Sequence, residues 1–139
     1  MEIDEQFKNI LVEEFRLVAS KIREESDTRR KNFFFSAAHG VVFRSININF
    51  DPELVVIHNV LNSTYTLLYS LQTSIDSGNE KIIQIPLLLF DKLADLLDEL
   101  AGAIQESQNT YEIIQKIAIL SYMLTGNGYY LYQKGIIEV

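Results

Sequence analysis

Residues 51–78 read DPELVVIHNVLNSTYTLLYSLQTSIDSG. Aspartate caps helices by accepting from free backbone N–H groups, and Pro52 suits the first helical position, where an N–H has no intrahelical partner anyway. Leu54, Ile57, Leu61, Tyr65, Leu68, Leu71 and Ile75 then recur in steps of three and four. That spacing sets one apolar side chain per turn on a single face. Gly78 supplies the left-handed stop that helix ends favour. At ~1.5 Å per residue, the pattern predicts a helix over 52–77 roughly 39 Å long. Val55, Val56, Val60, Leu67 and Tyr69 lie off the main stripe. A helix apolar on more than one face is expected to pack on more than one side. The chain therefore reads as all-α: an antiparallel bundle of four to five helices around a central helix at 52–77.

Upstream, Ile3, Phe7, Ile10, Leu11, Phe15, Val18 and Ile22 form one stripe, which predicts an amphipathic helix over 2–25. Arg23 to Asn32 then carries no apolar residue, so the helix either ends near Ser26-Asp27 or projects into solvent there; Ser26 or Asp27 can cap a new one beginning at Thr28. Residues 33–50 admit two readings. As a helix, Phe34, Phe35, Ala38, Val41, Val42 and Ile46 share a face. As strands, His39-Gly40 is a two-residue turn, and the β-branched and aromatic content fits. The continuous stripe favours a helix to about Ser45, with 47–50 as an extended link. The alternative fold is α+β, with short strands at 33–50, 82–85 and 129–139.

Downstream, Ser77-Gly78-Asn79 is a loop signal. Pro86 disfavours helical geometry at Ile85, so Ile85 is expected to be extended and Pro86 to open a helix. Leu89, Leu93, Leu96, Leu97, Leu100 and Ile104 carry that helix to about Ser107. Thr110 can cap a further helix through Ile113, Ile114, Ile117, Leu120 and Leu124. Gly126-Asn127-Gly128 breaks or kinks it, and the tail is a short helix or a hairpin turning at Lys134-Gly135. Short links between helices imply antiparallel neighbours.

The 139 residues fit a single helical domain over 1–139, with an apolar fraction of 47% that can build a core without staples. Cysteine is absent, which removes disulfides, thiolate metal sites and cysteine nucleophiles. No apolar run approaches the ~20 residues that span a bilayer, so no membrane partner is expected. The acidic start, Met1-Glu2-Ile3-Asp4-Glu5, lacks a signal peptide's layout, and the expected location is the cytoplasm. The formal charge of −7 argues against nucleic acid as a partner. That charge is uneven. Residues 16–44 hold seven basic and three acidic residues, net +4, between two acidic segments.

Within the basic segment, Arg23, Arg29, Arg30, Lys31 and Arg44 are the candidate binding residues for an anionic ligand, because guanidinium groups fork onto phosphate oxygens. The competing expectation is that they pair with surplus acids on neighbouring helices. His39 and His58 form a proton-transfer or metal pair only if their segments meet. Asp91, Asp95 and Asp98 share a helix side, but this helix lacks the Glu-x-x-His pattern of di-iron bundles, so no metal is expected. Gly126-Asn127-Gly128 lacks the lysine and spacing of a phosphate loop and reads as a helix terminus. Two aromatic clusters remain: Phe33, Phe34 and Phe35, and Tyr129, Tyr130 and Tyr132. Core packing is their first reading; a subunit contact is the second, since interface centres favour aromatics. No catalytic constellation or cofactor motif stands out. The expected function is non-catalytic assembly or partner binding as a homo-oligomer, a dimer being the expected state. The alternative is a binder of a phosphorylated ligand, nucleotide or RNA through 16–44.

Overall fold

The computed structural model describes residues 1–78 and 84–138. Among them the chain forms six helices and no strand: α1 (Glu5–Glu24), α2 (Thr28–Ile48), α3 (Pro52–Asp76), α4 (Gln84–Gln105), α5 (Tyr111–Tyr122) and α6 (Gly126–Gln133). The first three start alike. Asp4, Asp27 and Asp51 each accept a hydrogen bond from the backbone N–H two residues on, at 2.8, 2.9 and 2.8 Å. A side-chain oxygen there satisfies a donor that the helix itself leaves unpaired. α3 stops at Gly78, whose φ of +85° suits a residue without a side chain.

The all-α reading holds, and the strand alternative fails at 33–50. Phe35, Ala38, Val41, Val42 and Ser45 are all buried and share one face of the helix. Tertiary burial on one helical face outweighs the β propensity of the valines, isoleucines and phenylalanines. The helix runs three residues past Ser45, leaving Asn49 and Phe50 as the link to the Asp51 cap. At 82–85, residues 82 and 83 lie outside the described set, while Gln84 and Ile85 are helical. Ile85 is therefore not extended. Pro86 falls in the first turn of α4, where its missing N–H costs no intrahelical bond. At 129–139 the described residues form the end of α6 and a turn through Gly135, whose φ is +73°.

The Gly126-Asn127-Gly128 terminus opens α6 rather than closing α5. Thr125 caps it, its hydroxyl accepting from the Gly128 N–H at 3.0 Å. A Cβ on Gly128 would lie 1.8 Å from the Tyr122 carbonyl oxygen, so only glycine lets the chain turn this tightly off α5.

α1 packs on α2 and α4, α2 on α3, α3 on α5, and α5 on α4, which closes a ring of five helices around one core. α4 supplies Leu89, Phe90, Leu93, Leu97 and Leu100 to it, all fully buried. α3 buries Leu54, Ile57, Leu61, Leu68 and Leu71, as its stripe predicts, with Thr64 also buried. Tyr65, which the stripe includes, is only partly covered, and Tyr69 of the second apolar face is 64% exposed. That uncovered flank leads to the seam between α2 and α3.

Candidate functional site

The seam holds a line of rings. From α3, Tyr65 meets His39 of α2 with centroids 5.1 Å apart. His39 meets His58 of α3 at 6.1 Å, and His58 meets Phe43 of α2 at 5.3 Å. Helical spacing explains the meeting. On α2, His39 and Phe43 are four residues apart on the edge facing α3; on α3, His58 and Tyr65 are seven apart, two turns on one edge. The histidines thus do meet, as side-by-side rings within an aromatic line. At one end lies a cleft of about 340 Å³ with Phe33, Tyr65, Tyr69, Asn32 and Gln72 in its walls. Phe33 is 71% exposed and Phe43 53%. With Tyr69 they give α2–α3 an open aromatic surface, although large exposed apolar patches are rare on proteins that work alone.

His39 is half-buried, and its Nδ1 has no hydrogen-bond partner among the described residues. Burial pushes its pKa below the ordinary 6.5, and the neighbouring His58 pushes the same way. The ring is therefore neutral at pH 7. Among the described residues no three histidine, aspartate or glutamate side chains converge.

The basic segment is arranged for internal pairing. Arg23 reaches from α1 to Asp95 and Asp98 on α4, at 2.8 and 2.7 Å. Arg29 holds Asp76 at 2.5 Å, and Arg30 holds Glu25 at 3.0 Å. Lys31 is buried at 4% exposure; its ammonium donates to the Ile22 carbonyl and lies 5.7 Å from the Phe90 ring centre. It thereby serves the C-terminal end of α1, where a cation is favoured. Arg44 is exposed and has no carboxylate in pairing range among the described residues. The five cations do not converge on a common pocket.

The aromatic clusters divide between core and surface. Phe35 has no exposed surface and belongs to the core, so it is not available to a partner. Phe34 is half-buried, edge-on to Phe33 and 5.8 Å from the Lys21 ammonium. Tyr129 and Tyr132 pack against the core, leaving Tyr130 as the outward ring of the tail. Phe43, Tyr65 and Tyr69 join Phe33 in the seam, and sequence reasoning did not place them there. The available signal for Phe43 and Tyr69 was their position off the stripes of α2 and α3; Tyr65 was read as part of the α3 stripe, and nothing local set it apart.

Comparison with protein-family models, curated proteins and solved structures finds no match to this chain.

Proposed function

We propose that the protein is a non-catalytic assembly module that associates with a second copy of itself through the α2–α3 seam. The observation that carries this reading is the exposed aromatic surface of Phe33, Phe43 and Tyr69. Such rings at an interface centre supply apolar area at low entropic cost. The seam also suits a two-fold contact. Between Phe33 and Phe43, α2 carries the small residues Ser36, Ala37 and Gly40, so two α2 helices can approach closely while each Phe33 reaches the far end of the other copy. Four of the five candidate cations already have internal partners, which removes support from a phosphate-binding role.

Sedimentation velocity tests the reading. The wild-type chain is expected to run at twice its monomer mass at micromolar concentration. Phe33→Glu is expected to run as a monomer with unchanged helicity, and Tyr130→Glu as a dimer. A wild-type monomer across the concentration range overturns the proposal. Loss of the dimer in Tyr130→Glu alone moves the contact to the tail.

A further inference from the structure

We propose that the His39–His58 pair makes this self-association pH-dependent: two copies hold together while both imidazoles are neutral and separate on acidification. This rests on the assembly reading above.

The pair lies where a two-fold contact concentrates it. Phe33 and Phe43 are ten residues apart, ~15 Å along the helix. An axis midway between them sets each Phe33 opposite the other copy's Phe43. His39 is one residue from that midpoint, so the two imidazole pairs meet beside the axis. A second copy placed there strips water from rings already 6.1 Å apart within each chain.

The surroundings oppose a positive charge at that position. A protonated imidazole carries a proton on both nitrogens. The buried Nδ1 of His39 has no acceptor to receive one among the described residues. From α3, the ionisable groups in ring contact with His39 are His58 and Tyr65. From α2 itself, the nearest charged residue in the chain is Arg44, one turn on, and α2 carries no carboxylate. On the flank of α2 that faces α1, the charged group is Lys21, over Phe34. α3 carries two carboxylates, one at each end, and both have other partners: Asp76 pairs with Arg29 and Glu53 with Thr110. Among the described residues neither imidazole pairs with a carboxylate. In the single chain both rings are half-buried and still reach water; a second copy over the seam removes that water, so charging two such pairs across one axis costs more in the dimer than in the separated subunits.

Each proton that the dimer excludes raises its dissociation constant about tenfold per pH unit below the free subunit's histidine pKa. With one His39 per copy, the expected rise is about a hundredfold per pH unit.

Sedimentation equilibrium at constant ionic strength, at about pH 8 and about pH 5.5, brackets the histidine range. Circular dichroism follows in parallel. The wild-type chain is expected to be a dimer at the higher pH and a helical monomer at the lower. His39→Gln/His58→Gln is expected to be a dimer at both. A wild-type dimer at both pH values overturns the gate and leaves the assembly reading standing. A wild-type monomer at both overturns the assembly reading and the gate with it. Dissociation of the double variant alongside the wild type overturns the gate, as does loss of helicity at the lower pH. If the double variant does not fold, His39→Gln alone is expected to remain a dimer at both pH values; its dissociation at the lower pH overturns the proposal.

Discussion

Glu53 Oε1 accepts two hydrogen bonds from Thr110, one from its backbone N–H at 3.1 Å and one from its hydroxyl at 2.5 Å. The second residue of α3 thus holds the residue that precedes α5. Thr110 occupies the capping position of α5 but turns its hydroxyl to Glu53, and Asn109 accepts from the Tyr111 N–H instead, at 2.8 Å. The Met1 ammonium lies 3.1 Å from the other Glu53 oxygen, and Asp51 accepts from the Glu2 N–H at 3.0 Å. A buried carboxylate is tolerated here because its oxygens are all engaged.

Glu53→Ala leaves the buried N–H and hydroxyl of Thr110 without an acceptor. Each such loss costs about 1–3 kcal/mol, so a destabilisation of at least about 2 kcal/mol is expected in urea unfolding. A change of less than about 0.5 kcal/mol counts against the role given to this contact.

The same contact sets an acid limit. Burial acts to raise the Glu53 pKa, but the Thr110 hydroxyl and N–H and the Met1 ammonium outweigh it and hold the group below the ordinary 4.5. The unfolded chain then takes up the proton first as pH falls. The stabilisation is complete above 4.5 and is lost as pH falls below it toward the folded value. Stability curves of wild type and Glu53→Gln are expected to converge over that range. A constant gap between them would show that the charge is not what stabilises.

Two glycines separate a required from a replaceable one. Gly128→Ala drives a methyl group into the Tyr122 carbonyl, 1.8 Å away, so α6 must shift, and thermal stability is expected to fall. Gly102 lies within α4, and a methyl group added there would meet nothing within 4 Å. Gly102→Ala is expected to stabilise by about 0.5–1 kcal/mol, through the lower entropy of the unfolded chain. Equal responses at the two positions are incompatible with the tight turn at Tyr122.

Salt discriminates self-association from anion binding. Two chains of charge −7 repel each other, and raising ionic strength from about 0.1 M to about 1 M shortens the screening length from ~10 to ~3 Å. An apolar seam is therefore expected to associate more tightly in high salt. Binding through the arginines of 16–44 is expected to weaken. The dimer dissociation constant at the two salt concentrations decides between them.

The helices were legible because their signals are local. Asp51-Pro52 announces α3, and the leucine stripe of 89–104 announces α4. The end of α2 was harder, since Ile46 and Ile48 favour strands in isolation and only packing across helices overrides them. At the candidate site, charge and aromatic content were visible but partners were not. Arg23 and Asp95 are 72 residues apart in the chain, and no local pattern joins them. Phe34 and Phe35 look alike in sequence, yet one helical step of ~100° puts Phe35 in the core and leaves Phe34 at the edge. His39 and His58 came together because both lie on edges of helices that pack as neighbours, a fact that exists only once the ring of helices has closed.

The order of that ring bears on how the chain reaches its folded state. α1 makes its most extensive contact with α4, and Lys8 reaches Ser107, 99 residues away. The first three helices can align with one another while Leu11, Phe15 and Ile22 still lack the helix that covers them. During synthesis that stripe waits until residues near 105 have left the ribosome. The first half of the chain is thus no independent folding unit, and the late arrival of α4 is the step that commits the whole to a cooperative fold.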